Sequence, residues 1–175
     1  MSNNWFQFKQ FRIDQGQCAM KVTTDACIQG AWTPLQTPTK RILDIGTGTG
    51  LLTLMLAQRT ETALIDAVEY DATAAEQAKE NVSHSPWSER IAVRCNDIRD
   101  YESTEKYDLI ICNPPFFDNA LLGPQQEKNR ARHTIALSKE DLAAAIVKHL
   151  TPEGHFSILL PVPEYRYWLT VAESC

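Results

Sequence analysis

The sequence predicts an α/β fold, a doubly wound and mostly parallel sheet with helices on both faces. From Arg41 onward, short apolar runs alternate with helical segments, which is typical of a parallel sheet covered by helices. Three glycines follow the first of these runs, at the sheet edge where such folds bind their ligands. The 175 residues, 43% of them hydrophobic, suffice for one sizeable core.

The first forty residues predict a cover over this sheet, so we divide the chain into residues 1–40 and 41–175. Apolar residues alternate over residues 6–13, and a second run over residues 18–22 follows a polar turn that contains Gly16. This pattern indicates a β-hairpin. Thr23 or Thr24 is placed to cap a short helix that ends at Trp32.

The remaining elements form the predicted sheet and its helices. We expect strands over residues 41–45, 63–68, 91–95, 107–112 and 155–160, and helices over residues 51–59, 72–83, 139–150 and 164–173. Asp71 and Ser138 are placed to cap the second and third of these helices. Because the pattern stops after the fifth strand and leaves an exposed edge, we expect the C-terminal strands of the fold to be missing.

Composition and charge exclude several classes of protein. The chain has no apolar run of membrane-spanning length and no signal-like N-terminus, so we expect a cytoplasmic protein without membrane contact. A net charge of -5 and a pI near 5.4 argue against bulk coating of nucleic acid. The five cysteines are widely spaced and form no C-x-x-C pair, so we interpret them as reduced, mostly buried thiols. We expect no metal and a monomer.

The glycine-rich segment after the first strand predicts a ligand-binding loop. Gly46, Thr47, Gly48 and Gly50 follow the strand, and glycine allows the backbone to approach a ligand closely. A dinucleotide loop needs a sixth-position glycine where this chain has Leu51. Asp44, at the end of a buried strand, needs hydrogen-bond donors, and the ammonium group of a ligand would satisfy it.

Two further acidic positions follow the next two strands. Glu69 stands about twenty residues after the glycine loop, the spacing of a carboxylate that binds the ribose hydroxyls of a nucleoside. Asp97 follows the third strand, where it could accept from an adenine amine while Ile98 packs on the ring. An aspartate at a strand end also starts turns, so the position of Asp97 is weaker evidence for ligand binding than the position of Glu69.

The most specific motif is Asn113-Pro114-Pro115-Phe116, directly after the fourth strand. Two prolines end the strand and fix the backbone there. With this motif and the segment Met20-Lys21-Val22-Thr23-Thr24-Asp25-Ala26, the chain resembles the class I S-adenosylmethionine-dependent amino-methyltransferases, which have a Rossmann-like sheet. Among these it looks most like the bacterial tRNA1(Val) adenine-N6 methyltransferases.

This resemblance implies a cofactor and a reaction. The cofactor is S-adenosyl-L-methionine, and the substrate is the adenosine on the 3′ side of the tRNA anticodon. Asn113 and the Pro114 carbonyl would accept the two N–H bonds of the adenine amine, and Phe116, or else Phe117, would stack on the base. Cys112 does not form the Pro-Cys pair of pyrimidine methylation, and we interpret it as a core residue.

Other functions remain open on the residues alone. The same motif serves methylation of a protein glutamine amide, and it would tolerate DNA adenine or a small molecule. A binding module with a decayed active site is the alternative that is not an enzyme. A local basic segment favours RNA, because cations at the rim of a base pocket anchor flanking phosphates. Its residues are Lys128, Arg130, Arg132 and His133.

Overall fold

A five-stranded parallel sheet forms the centre of the protein. The computed structural model describes residues 3–18, 20–36, 38–114 and 137–174. In chain order the elements are β1 (Trp5–Gln7), β2 (Arg12–Asp14), α1 (Thr24–Trp32), β3 (Arg41–Ile45), α2 (Leu51–Ala57), β4 (Leu64–Glu69), α3 (Ala72–Ser83), a 3-10 turn (Ser88–Arg90), β5 (Ile91–Cys95), β6 (Tyr107–Cys112), α4 (Lys139–His149), β7 (Leu150–Ile158) and α5 (Val162–Ser174).

The order of the strands confirms the predicted doubly wound sheet. The strands lie in the order β5-β4-β3-β6-β7, and all four neighbouring pairs are parallel. The chain runs outward from β3 to β5 and then returns to the other side of β3 to form β6 and β7. Ile45 pairs with both Val68 and Cys112, which brings the carboxyl ends of three strands level. The strand order reverses beside β3, and ligands bind such sheets outside that point.

Helices cover both faces of the sheet. Ile42 of β3 packs in one cluster with Leu52 of α2. The next residue, Leu43, packs in another cluster with Leu142 of α4 and Trp168 of α5. Successive side chains of a strand point to opposite faces, so α2 covers one face and α4 and α5 cover the other. Burial of an aliphatic side chain of this size stabilises the fold by roughly 1.5–3 kcal/mol.

The N-terminal hairpin is shorter than the sequence predicts. It is formed by β1 and β2, and the Phe8 amide donates to the Phe11 carbonyl across the turn (2.9 Å). The predicted second strand over residues 18–22 is wrong. The Val22 amide donates to the Gln15 side chain instead (2.8 Å), so this part of the chain is held as a loop. The chain turns at the two polar residues 9 and 10, within the alternating run over residues 6–13, and the alternation does not show this turn.

The other predicted elements agree with the structure to within two residues, except for the last strand. Thr23, Asp71 and Ser138 each accept a hydrogen bond from the amide three residues further on, which confirms the predicted helix caps. β7 begins directly after α4 and ends at Ile158, so its predicted bounds of 155–160 are wrong. Its pairing with β6 is interrupted over residues 151–154.

Asn81 of α3 joins the hairpin to the glycine loop. The side chain is 2% exposed. Its Oδ1 accepts from the Asp14 amide (2.9 Å), and its Nδ2 donates to the carbonyls of Asp14 (2.8 Å) and Thr49 (2.8 Å). Three elements that are distant in sequence therefore meet at one buried amide.

We expect Asn81→Ala to lower the free energy of unfolding by about 2–3 kcal/mol, because it leaves buried backbone groups of Asp14 and Thr49 without these partners. Urea unfolding followed by circular dichroism measures the loss. Ser83→Ala is the matched control, since among the described residues its exposed hydroxyl bonds only to its own helix, at the Glu80 carbonyl. That control should change the free energy by less than about 0.5 kcal/mol. Equal losses in the two variants would contradict the role of Asn81.

Candidate functional site

The loop between β3 and α2 wraps around the carboxyl end of β4. The amides of Gly46 and Thr47 both donate to the Val68 carbonyl (2.8 and 3.1 Å). Gly46 and Gly48 have φ angles of 70° and 57°, a left-handed conformation that favours glycine. Within the described part of the chain, a Cβ at either glycine would meet no atom within 4 Å. The backbone conformation therefore requires these glycines, and the space beside them is open to a ligand.

Asp44 lies behind this loop and organises it. Its side chain is fully buried, and Oδ2 accepts from the Thr47 hydroxyl (2.7 Å), the Thr53 hydroxyl (2.7 Å) and the Thr53 amide (3.1 Å). Burial raises the pKa of Asp44 to about 6 in spite of these donors. Oδ1 has no hydrogen-bond partner among the described residues. The two threonines supply the donors that the sequence led us to expect, and the contact with a ligand ammonium group stays a prediction.

Glu69 ends β4 and is held in place by two backbone amides. Its Oε2 accepts from the Gly48 amide (2.8 Å), and its Oε1 accepts from the Asp71 amide (3.0 Å). A carboxylate offers about four lone-pair sites, so each oxygen retains capacity for a further donor. Glu69 therefore links the glycine loop to the start of α3 and presents a fixed carboxylate beside the loop.

Asp97 follows β5 and is held by Arg99. The guanidinium donates from Nε to Oδ1 (2.9 Å) and from Nη2 to Oδ2, and the Arg99 amide adds a third bond (2.9 Å). The bond from Arg99 holds the pKa of Asp97 below its ordinary value, so this carboxylate is charged at neutral pH. Ile98 between them is buried, and all three residues line one cavity, which is described below. Sequence reasoning missed Arg99, because no spacing rule pairs it with Asp97.

Asn113 and Pro114 are the first residues after β6. The Oδ1 atom of Asn113 is buried and has no hydrogen-bond partner in the described ranges. A buried acceptor without a donor costs about 1–3 kcal/mol, and the contact of Asn113 with a substrate amine stays a prediction. Cys112 is 2% exposed, which confirms its interpretation as a core residue.

The other residues of the predicted substrate site lie outside the described residues. They are Pro115, Phe116, Phe117, Lys128, Arg130, Arg132 and His133. Their roles in base stacking and RNA binding stay predictions.

A cavity of about 370 Å³ joins these elements at the carboxyl ends of the strands. Six of the predicted site residues line it: Gly46, Glu69, Asp97, Ile98, Asn113 and Pro114. Asp44 of β3 and the loop residues Thr47, Gly48 and Gly50 do not line it. Leu142 of α4 with Glu164 and Trp168 of α5 close the other side. The sequence analysis did not include this wall, because its contacts join parts of the chain that no local pattern relates.

The cysteines are less buried than the sequence suggests. All four in the described part of the chain are free, but only Cys112 is buried; Cys18 and Cys27 are partly exposed and Cys95 is exposed. The interpretation of mostly buried thiols is therefore wrong. Within the same residues, no group of three or more His, Cys, Asp or Glu side chains is arranged to hold a metal ion. None of the helices described here has the length and apolar character needed to cross a bilayer.

This arrangement suits a nucleoside cofactor that carries a positive charge. The open glycine loop gives room for close backbone approach, and the carboxylates of Glu69 and Asp97 offer acceptors for hydroxyl and amine groups. Asn113 lines the same cavity, and its buried Oδ1 has no hydrogen-bond partner among the described residues. A doubly wound sheet with this set of residues at its switch point has the architecture of a class I methyltransferase.

Comparison with known proteins agrees with this class. The family model of the methyltransferase small domain matches residues 25–159. A relative from Dyadobacter fermentans is 53% identical over 162 residues, which are 93% of this chain and 67% of the relative. A relative from Tolumonas auensis is 51% identical over 175 residues, or 99% of this chain and 73% of the relative. Both are named tRNA1(Val) (adenine(37)-N6)-methyltransferase.

A solved structure extends the likeness to the fold. The S-adenosylmethionine-dependent methyltransferase from Thiobacillus denitrificans, in complex with S-adenosyl-L-homocysteine, matches with a TM-score of 0.56 and 20% identity. The match covers 82% of this chain and 53% of that one. The chain belongs to the methyltransferase small domain family, and S-adenosylmethionine is its cofactor, as the sequence predicts.

The buried Asp44 gives the folded protein a distinct pH dependence. Its folded pKa of about 6 lies above the ordinary value of 3.8, so its ionisation opposes folding. The stability that it contributes is fully present below about pH 4 and is lost as the pH rises through about 6. The loss reaches about 3 kcal/mol, at 1.36 kcal/mol for each pKa unit.

Asp44→Asn replaces the carboxyl by a neutral group of the same size and removes this pH-dependent loss of stability. We therefore expect the variant to gain stability relative to the parent, by up to about 3 kcal/mol, between pH 4 and pH 7. Urea unfolding of both proteins without cofactor, repeated across this range, measures the gain. A difference that does not change with pH would mean that Asp44 titrates normally.

Proposed function

We propose that this protein transfers a methyl group from S-adenosylmethionine to the N6 amine of adenosine 37 in tRNA1(Val). The observation that carries the proposal is Asn113, which lines the cavity with Glu69 and Asp97 and whose buried Oδ1 has no hydrogen-bond partner among the described residues. The relatives at 53% and 51% identity, both named for this reaction, support the choice of substrate.

The proposed chemistry depends on geometry at the exocyclic amine. The nitrogen lone pair of adenine is delocalised into the ring, which makes the amine a poor nucleophile. Asn113 Oδ1 and the Pro114 carbonyl accept its two N–H bonds and draw the nitrogen toward a tetrahedral form. Pro114 and Pro115 restrict the backbone on which both acceptors depend. The proton leaves the methylated nitrogen for water, so the reaction needs no strong base.

The residues around the glycine loop hold the cofactor in this proposal. Glu69 accepts from the ribose hydroxyls, Asp97 accepts from the adenine amine, and Ile98 packs on the ring. Asp44 and the loop residues Gly46, Thr47, Gly48 and Gly50 hold the amino-acid end. The bound cofactor supplies a methyl group on a positively charged sulfur, and in-line placement of the amine supplies much of the rate.

The segment after Pro114 provides the RNA contacts of this proposal. Phe116 or Phe117 stacks on the extruded base, and the cations at residues 128, 130, 132 and 133 anchor the flanking phosphates. Residues 1–40 form the cover of the site, and residues 41–175 form the catalytic domain. Burial first, and then the charges of Glu69 and Asp71, raise the pKa of Cys18, which supports a cover near the cofactor end. We also propose that the protein acts as a monomer in the cytoplasm.

Transfer of labelled methyl groups to matched substrates tests the proposal. We expect label in an unmodified tRNA1(Val) transcript and none in a transcript with guanosine at position 37. Asn113→Ala should reduce turnover at least roughly a hundredfold, as expected for a lost transition-state contact, while cofactor affinity stays within about twofold. Duplex DNA and a release-factor protein are assayed in the same way, as tests of DNA adenine and of a protein glutamine amide as the substrate. Label in either of these but not in tRNA, or normal turnover of Asn113→Ala, would overturn the proposal.

The role of the basic segment has its own test. Arg130→Ala combined with Arg132→Ala should weaken tRNA binding and lower the slope of log K against log salt by about 1–2, because two phosphate contacts are lost. Cofactor affinity should not change. Lys40→Ala with Lys79→Ala removes the same charge from exposed positions away from the cavity and serves as the control. A salt slope equal to that of the parent in the arginine variant would move the RNA contacts elsewhere.

A further inference from the structure

Gln29 of α1 reaches across the protein to the backbone that carries Asn113. Its Nε2 donates to the Cys112 carbonyl (3.0 Å), and the Leu159 amide donates to the same oxygen (3.2 Å). Nε2 also lies 3.2 Å from the Ser157 carbonyl of β7. Gln29 is 7% exposed, so these bonds form away from solvent. The Cys112 carbonyl belongs to the peptide bond that leads directly into Asn113.

We propose that Gln29 is a positioning residue that fixes the orientation of Asn113 for catalysis. Pro114 restricts the backbone of Asn113 from the following side, since a residue before proline is confined to extended conformations. Gln29 and Leu159 restrict it from the preceding side by holding the Cys112–Asn113 peptide plane. Asn113 is thereby held from both directions, with its Oδ1 left free of partners among the described residues.

The orientation of the Gln29 amide follows from its neighbours. Two carbonyl oxygens face one end of the amide, and only the NH2 group can donate to both. The opposite end, Oε1, is buried and has no hydrogen-bond partner in the described part of the chain. A buried acceptor left unpaired is a cost that packing alone does not explain. A requirement to hold the Cys112 carbonyl does explain it.

Helix α1 is fixed firmly enough to act as the support for this contact. Arg59, just after α2, donates to the carbonyls of Gly30 (2.7 Å) and Thr33 (2.8 Å) at the end of α1. A Cβ at Gly30 would lie 2.6 Å from the Met55 sulfur, so the absence of a side chain lets α1 pack closely on α2. The segment over residues 20–26, which the sequence analysis uses only for its resemblance, leads into this helix.

Thr33 provides a control for a residue that only joins α1 to β7. Its hydroxyl donates to the Gln29 carbonyl (2.7 Å) and lies 2.9 Å from the Ser157 hydroxyl. It therefore joins α1 to β7 as Gln29 does, but within the described part of the chain it makes no hydrogen bond to the Cys112 carbonyl. Loss of Thr33 loosens the same helix without releasing the peptide before Asn113.

The inference rests on the proposed role of Asn113, and a double-mutant cycle separates the two. The variants are Gln29→Met, which keeps the length and removes the donor, Thr33→Val, Asn113→Ala and the double variant Gln29→Met/Asn113→Ala. For Gln29→Met we expect kcat to fall about 10- to 100-fold, as for a misplaced catalytic group, with KM for S-adenosylmethionine within about twofold of the parent. Thr33→Val should keep kcat within about threefold. The double variant should be no slower than Asn113→Ala, because Gln29 acts through Asn113.

The possible results are distinct. Normal kcat in Gln29→Met, equal losses in Gln29→Met and Thr33→Val, or fully additive losses in the double variant would each overturn the role of Gln29. Normal kcat in Asn113→Ala would overturn the proposed function itself. If Gln29→Met does not fold, Gln29→Asn keeps a buried amide but shortens it beyond reach of the Cys112 carbonyl. The same loss of kcat is then expected in that variant, and a normal kcat would again overturn the role.

Discussion

The parallel pairing of β3 with both β4 and β6 is the constraint on which the site depends. It places Gly46, Glu69 and Asn113, which are far apart in sequence, at one edge of the sheet. The aliphatic core on both sides of β3 stabilises this pairing, because its strand residues are almost completely withdrawn from water. The site is therefore set largely by apolar burial along the strands.

Segments beyond the strand ends have no ladder to satisfy their backbone groups, and buried side-chain amides take over that role. Asn81 binds the Thr49 carbonyl of the glycine loop, and Gln29 binds the Cys112 carbonyl before Asn113. Both residues lie on helices that pack outside the sheet, and both are more than nine-tenths buried. A buried backbone carbonyl needs a donor, so each amide helps to fix the chain at the carbonyl it binds, at Cys112 together with the Leu159 amide. In this way the outer layer of the protein contributes to the geometry of the site.

Local patterns were enough to predict most of the elements and six of the residues that line the cavity. Helix caps such as Asp71 depend on neighbours three residues apart, and glycine loops depend on a few consecutive residues, so a single sequence displays them. The bonds made by Asn81 and Gln29 join residues 32 to 128 positions apart, and the sequence contains no spacing that indicates them. The strands of the hairpin were predicted wrongly for a different reason. Alternation alone does not show where an extended run turns back, and two polar residues were sufficient for the turn.

The carboxylates at the edge of the sheet affect both the methyl transfer and the RNA binding of the proposed function. Burial first, and then the charges of Asp44 and Glu69, raise the pKa of the Cys112 thiol, so their negative potential reaches the end of β6. An amine nitrogen that accepts a methyl group gains positive charge as the bond forms, and in the proposed reaction this potential stabilises that charge. The same potential repels phosphate. An RNA substrate must therefore be held by cations outside the cavity while only its uncharged base enters, which is consistent with an acidic protein whose basic segment follows the proposed catalytic motif.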